Sequence, residues 1–512
     1  MNTFKPFRRV VLFGIDGGGT YFEQASTPFM DRIFAGGAVS RRTLTEIPTV
    51  SAECWGAMLH GVDRHDHQLT NWIVGVKDFP ADSPYPSVFR VIREARPDAK
   101  LAAFCDWSPI NRGIIESGIG VYKYSDRDFG LIRPALDYIR DNDFTLLFFQ
   151  FDSVDGAGHR FTYGSPEHLA SITTVDMYIR YITDAIKARG WEDDTLFMVE
   201  ADHGGYGHSH GGVTDEEKYV TFMAAGNGIC HAELRDMQVR DTAPAILHAL
   251  GIPQPEGWSG RVPGGMFPDV PENLPRPAGI HRPDRVADRT PIEEKGEFLQ
   301  RFADLEPLRY LPFDPAAPSL APGIEQHGKF YRVSGVAGEA LRFDDGWMAM
   351  EAPDLTKGLF FMTWMRVDSM EKPVYVLSTR KPTAEPGEAV PGVHMWLWQY
   401  LRILMNDSTG KAHNILAALP EKLVGEWVHY MVSIDLAGRR IRVWTNFREC
   451  VDYAIPEDVR FDLTSKKLYI AQDATEACED HIPAALDDFC VFGRPFTEAD
   501  ADRFCAYYNG KA

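Results

Sequence analysis

Positive charge is in short supply in this chain. Its 53 Lys and Arg face 73 Asp and Glu, a formal net charge of −20 over 512 residues. Such a chain repels phosphate backbones and anionic lipid at long range, which argues against nucleic acid and membrane surfaces as partners. Bound divalent metals reverse the field locally, so an anionic small molecule stays compatible with the charge. No apolar run is long enough to span a bilayer. The apolar run at residues 10–15 is too short for a signal-peptide core and has no small-residue cleavage site behind it. Cysteine is sparse: seven residues, at 54, 105, 230, 450, 478, 490 and 505, an odd number with no CxxC pair. That pattern argues against a disulfide framework and sets a cytoplasmic location as the expectation. Internal repeats and low-complexity tracts are also lacking.

What is present is a soluble composition, 44% hydrophobic and 25% charged, in a chain too long for one ordinary core. The first half alternates strand and helix signals. Residues 10–15, 145–149 and 195–199 are continuous apolar runs, as expected of strands buried on both faces. Thr27-Pro28 and Ser165-Pro166 open helices by the cap-then-proline rule, and Leu169, Ile172, Val175, Ile179, Ile182 and Ile186 recur at helical spacing. This alternation predicts an α/β domain over 1–270, a mostly parallel sheet with helices on both faces. A proline-dense connector over 271–327 follows, with one helix near 291–302. From 328 to 512 the pattern changes to period two with short strands, for example 340–343, 359–365, 394–398, 428–434 and 440–444, the expectation for an all-β antiparallel sandwich. Asp344-Asp345-Gly346 reads as a turn, and Trp396 and Trp398 read first as core aromatics.

In open α/β sheets, functional groups collect beyond the carboxyl ends of strands. Here the first strand runs into Asp16-Gly-Gly-Gly, the second into Asp152-Ser-Val-Asp155-Gly-Ala-Gly-His159, and the third into Asp202-His203-Gly-Gly, then His208-Ser-His210. Taken singly, Asp16 is an ordinary turn residue and Asp155 to His159 an ordinary helix start. Adjacent Asp and His at the end of a buried strand are costly unless they bind something. Together the set offers the carboxylates and imidazoles that a zinc-like ion takes in catalytic sites. Ser51, where a helix is expected to begin, is the candidate nucleophile, because a helix N-terminus favours an incoming anion. Its bland alternative is a plain N-cap. Cys54 is a rival nucleophile, more often a small core residue.

Over roughly residues 10–267 these segments resemble the alkaline phosphatase superfamily, most closely its type I phosphodiesterase/nucleotide pyrophosphatase branch. The resemblance implies two divalent metal ions, zinc with manganese also fitting. Asp16, Asp202, His203 and the Ser51 oxygen would hold one, and Asp155, His159 and His210 the other. It also implies Ser51 as nucleophile and a phosphoserine intermediate. The chain departs from that branch in carrying Glu53-Cys54 where Pro-Asn is usual, which leaves open the group that contacts the phosphate oxygen. It lacks Cys-x-Pro-Ser-Arg, against a sulfatase. Asp152 and His208 are candidates for supporting roles. Residues 328–508 resemble concanavalin A-like/laminin G-like domains through Gly425-Glu-Trp-Val-His429 and the ending Leu486-Asp-Asp-Phe-Cys-Val-Phe-Gly493.

The expected function is hydrolysis of phosphate esters, with diesters favoured. The alternatives are a phosphomonoesterase or phosphomutase on a small metabolite, and a non-catalytic glycan- or partner-binding protein. The expected partner is a small-molecule or glycan-linked phosphate ester, in a chain that could form a homo-oligomer.

Overall fold

The computed structural model describes residues 4–277, 297–314, 319–336, 338–370, 373–380, 391–398, 400–420, 423–472 and 484–508. The chain divides into two compact units, Met1–His281 and Arg282–Ala512.

The first unit is built on eight strands: β1 (Arg9–Ile15), β2 (Ala38–Leu44), β3 (Leu101–Cys105), β4 (Tyr122–Ser125), β5 (Leu146–Phe151), β6 (Thr195–Ala201), β7 (Tyr219–Ala225) and β8 (Ala232–Glu233). They lie in the order β4-β3-β5-β1-β6-β7-β2-β8. From β4 to β6 all pairings are parallel, and β7 runs antiparallel to both its neighbours. Every residue of β1 is buried, because the strand is covered on both faces. Val10 and Leu12 enter one apolar cluster, while Val11, Phe13 and Ile15 enter the other. The helices are α1 (Pro28–Phe34), α2 (Ser51–His60), α3 (Arg64–His67), α4 (Asn71–Val76), α5 (Val88–Ala95), α6 (Asp128–Asp141), α7 (Ser153–Phe161), α8 (Pro166–Ala188), α9 (Asp215–Lys218) and α10 (Thr242–Ala249). The periodic residues of α8 from Ile172 to Ile186 are buried, and Ser165 caps the helix by accepting the His168 N–H. The expected mostly parallel α/β architecture is observed.

One register positions the site. Ile15 pairs with Phe151 on one side and with Ala201 on the other. The next residues, Asp16, Asp152 and Asp202, therefore leave three adjacent strands at one level, about 4.8 Å apart across each pair.

The second unit is an antiparallel β unit whose described strands form a 13-stranded sheet. Part of the proline-dense stretch belongs to it. Pro307–Leu311 pairs with Ala484–Phe492, and Phe298, Phe302 and Leu305 join a core with Trp364, Phe504 and Tyr508. The helix expected near 291–302 is observed at Phe298–Arg301, and its earlier part lies outside the described residues.

Two local expectations fail. Asp344-Asp345-Gly346 is not a turn: the strand Glu339–Glu351 runs through it. Lys329 pairs with Asp345 and Phe330 with Phe343, so Asp344 is a bulge. Gly346 fits there because a Cβ would meet the His327 carbonyl oxygen at 2.8 Å. Nor are Trp396 and Trp398 core residues. In Val393–Trp398 the core takes Val393, Met395 and Leu397, while Trp396 is half-buried and Trp398 exposed. Period two fixes which residues share a face, and the neighbouring strands decide which face turns inward.

Candidate active site

The structure brings all seven candidate residues into one connected cluster. Asp16 follows β1, Asp202 and His203 follow β6, Asp155 and His159 lie on α7, and His210 lies in the loop before α9. Ser51 is the first residue of α2, with Val50 as the N-cap. Its hydroxyl therefore does not cap the helix. Its Oγ lies 3.2 Å from His203 Nε2. The same nitrogen is 3.4 Å from Asp16 Oδ1 and 3.4 Å from Asp202 Oδ2.

Each side chain is held by its other atoms. Asp16 Oδ2 accepts the Trp55 indole N–H at 3.0 Å and the Gln150 amide at 2.9 Å. Asp202 Oδ1 accepts the backbone N–H groups of Gly17, at 3.1 Å, and His203, at 2.8 Å. Gly17 is needed here: its φ is +67°, and a Cβ would meet Asp155 Oδ1 at 2.7 Å. His203 Nδ1 faces the Gly204 carbonyl oxygen at 3.0 Å, and His210 Nδ1 faces that of Thr49 at 2.7 Å. Both imidazoles thus donate from Nδ1 and turn Nε2 toward the carboxylates. Asp155 Oδ2 is 3.2 Å from His159 Nε2, and its Oδ1 is 3.8 Å from His210 Nε2. Tyr163 donates its hydroxyl to Asp155 Oδ1.

The electrostatics follow from burial and crowding. Burial, then the charges of Asp202 and Asp155, push the Asp16 carboxyl well up. Burial and Asp155 do the same to Asp202. Burial and the neighbouring His210 push His203 down to about 3, so it is a neutral imidazole. Burial would raise Asp155, but His159, His203, His210 and the Tyr163 hydroxyl together hold it below the usual carboxylate range. His159, bonded to Asp155, rises to about 9. Burial drives the Cys54 thiol well up, which removes it as a rival nucleophile at neutral pH.

The residues are of the kind that could hold a divalent cation. Asp16 Oδ1 and Asp202 Oδ2 are buried and have no hydrogen-bond partner, although both face His203 Nε2. Mutually repelling carboxylates without donors are what a cation would neutralise. Two sets each place one ligand atom per residue within 4.8 Å of the others: Asp16, Asp202 and His203, and Asp155, His203 and His210. His203 stands in both sets, and His159 reaches the second through Asp155.

Several contributors escaped the sequence reading. Trp55, Gln150 and Tyr163 support carboxylates from other elements, and nothing local marks them. Asn71 Oδ1 accepts the Ala52 N–H at 2.9 Å, which brings an asparagine to the first turn of α2 although Glu53-Cys54 supplies none. Of the two supporting candidates, Asp152 accepts the Gln150 amide at 3.1 Å, and burial with the charge of Asp155 raises it to about 6. His208 bonds the end of α7.

Residues 107–265 match the family model of type I phosphodiesterase / nucleotide pyrophosphatase. The match contains Asp155, His159, Asp202, His203 and His210, and it supports phosphoester chemistry and the alkaline phosphatase-like superfamily for this unit. The chain is 26% identical over 202 residues to GPI ethanolamine phosphate transferase 1 of Chaetomium globosum, covering 34% of this chain and 21% of that one. It is 22% identical over 219 residues to the protein of that name from Emericella nidulans, covering 38% and 23%. The chain thus spans between a fifth and a quarter of the length of these curated relatives. Among solved structures it is similar to a 2-O GAG sulfatase (TM-score 0.41, 13% identity, covering 50% of this chain and 73% of that chain). It is likewise similar to murine ectonucleotide pyrophosphatase / phosphodiesterase 5 (TM-score 0.41, 13% identity, covering 48% and 96%).

Proposed function

We propose that the first unit is a metal-dependent enzyme that cleaves phosphate esters, diesters before monoesters, with Ser51 as nucleophile. The observation that carries the reading is the meeting of Ser51 Oγ, Asp16 Oδ1 and Asp202 Oδ2 at one nitrogen, His203 Nε2. Asp16, Asp202, His203 and Ser51 would hold one divalent cation, and Asp155, His159 and His210 the other, zinc or manganese. Such ions lower the pKa of a bound hydroxyl and neutralise charge on the transferring phosphoryl group.

The chain's own groups do the rest. The N-terminus of α2 favours the phosphate anion next to Ser51. Asn71 orders that turn through Ala52. Ser51 Oγ attacks phosphorus, and the bond from phosphorus to the leaving alcohol's oxygen breaks on the far side. Water then displaces Ser51 from the phosphoserine, which returns the hydroxyl and releases the phosphate monoester.

The test is turnover of bis-p-nitrophenyl phosphate and p-nitrophenyl phosphate by the full chain loaded with zinc or manganese. Faster diester cleavage, loss of it in Ser51→Ala, and a phosphorylated Ser51 peptide after acid quench are expected. No turnover of either ester by the loaded protein would overturn the reading. The names of the curated relatives favour a second reading, in which an alcohol replaces water in the second step. Glycerol in the assay then diverts product to a new diester without changing the rate of phenol release. For the second unit, the antiparallel pairing of its described strands supports a concanavalin A-like/laminin G-like accessory domain.

A further inference from the structure

The two halves of the cluster are built differently. The side chains of Asp16, Asp202 and His203 leave strand ends and are 2%, 0% and 0% exposed. Those of Asp155, His159 and His210 are 14%, 44% and 11% exposed, and they ride on a nine-residue helix and a loop. A half-site on such elements needs something to fix it.

A cross-linked corner does so. His159 Nδ1 faces the His208 carbonyl oxygen at 2.8 Å, and His208 Nδ1 faces the His159 carbonyl oxygen at 3.1 Å. Each imidazole therefore donates to the other residue's backbone. His208 Nε2 also lies 3.2 Å from Thr162 Oγ1, so it accepts that hydroxyl's hydrogen. Thr162 ends α7 with φ +86°, a conformation a β-branched residue adopts only when held. Tyr163 next to it donates its N–H to the Gly207 carbonyl at 2.8 Å and its hydroxyl to Asp155. Residues 162–163 thus grip 207–208, immediately before His210.

We infer that His208 and Tyr163 are positioning residues that set the cation affinity of the Asp155, His159 and His210 half without setting that of the Asp16, Asp202 and His203 half. The inference rests on the two-cation reading above. The His208 carbonyl fixes which nitrogen of His159 carries the hydrogen. Its ring ties up a carbonyl at the end of α7 that the helix leaves without a partner. The Tyr163 hydroxyl fixes Asp155. Partners of this kind are worth about 10- to 100-fold in metal affinity.

The test is calorimetric titration of the metal-free full chain with zinc, on the wild type, His208→Ala and Tyr163→Phe. The wild type is expected to show one tight and one weaker class of site. Both variants are expected to weaken the weaker class by about 10- to 100-fold. The tight class and the metal-free melting temperature should stay put. His208→Gln, whose amide can still donate to the His159 carbonyl, should recover part of the loss. An unchanged weaker class would overturn the inference alone, as would equal weakening of both classes with a lower melting temperature. A wild type that takes up no zinc would overturn the two-cation reading itself.

Discussion

The rings of His203 and His210 lie face to face, centroids 3.9 Å apart and planes 19° from parallel. Each gives its Nδ1 hydrogen to a carbonyl, of Gly204 and Thr49 respectively, so two imidazoles aim Nε2 at carboxylates from one stack. His203 serves both carboxylate groups, while His210 serves one. His203→Ala is therefore expected to lower the affinity for both cations, and His210→Ala for only one. Zinc retained after dialysis, counted by elemental analysis, should fall below one per chain in the first variant and to about one in the second.

The pH dependence turns on His159. Its hydrogen bond to Asp155 raises it to about 9, above the ordinary value of 6.5. In the metal-free protein the charged pair contributes stability that is fully present below about 6.5 and is lost as pH rises through about 9. The contribution is small, since the His159 side chain is 44% exposed. A cation needs the neutral ring, so its binding at pH 7.5 should release about one proton from His159, beyond those the buried Asp16 and Asp202 carboxyls give up. Binding enthalpies measured in buffers of different ionisation heat will report this. The release should fall by about one proton in His159→Ala, and cation affinity in the wild type should climb between pH 6.5 and 9.

Asn71 holds the first turn of α2 through the Ala52 N–H. Removing that bond in Asn71→Ala should cost about 1 kcal/mol of stability. Because the same turn presents Ser51, kcat/KM for the diester should also fall, by about tenfold or more. Denaturant melts and steady-state rates separate the two effects. Normal kcat/KM in the variant would remove Asn71 from any part in presenting Ser51.

The second unit offers a contrast between tryptophans. Trp364 is 1% exposed, and Trp398 is 40% exposed. Trp364→Ala should cost about 3–5 kcal/mol, and Trp398→Ala less than about 1 kcal/mol. Urea titrations of the two variants check the difference, and equal losses would contradict the placement of Trp398 on the outer face.

Much of this was legible in the sequence because strands buried on both faces leave unbroken apolar runs, and Asp16, Asp155, Asp202 and His203 stand just past their ends. The first residue of α2 was legible too, since Ser51 precedes a helical run. What was not legible depends on contacts between distant segments. Trp55, Gln150 and Tyr163 each touch a site carboxylate from another element; Trp and Tyr are equally at home in a core, and Gln150 sits inside an apolar strand whose run does not say what it bonds. Asn71 is twenty positions from Ser51 and reaches α2 only in the folded chain. Asp344-Asp345-Gly346 has turn composition, yet the pairing of its strand with Glu325–Ser334 overrides it. Trp396 and Trp398 alternate correctly, but alternation alone does not name the inward face. The stretch at 307–311 looked like connector because five residues beside prolines carry too little pattern to reveal a strand.

The pairing of Ile15 with Phe151 and with Ala201 sets a tolerance rule for this architecture. Three strands act as a ruler, and the site is read off at one mark. Substitutions along the strands keep that mark if they keep apolar volume. A single inserted or deleted residue between Leu146 and Asp155, or between Thr195 and His203, moves its carboxylate off the mark whatever its chemistry. Length is the guarded quantity in these segments. A library of one-residue insertions should find them far less permissive than the exposed turn at Gly190, which lies before the start of β6 while the site lies past its end.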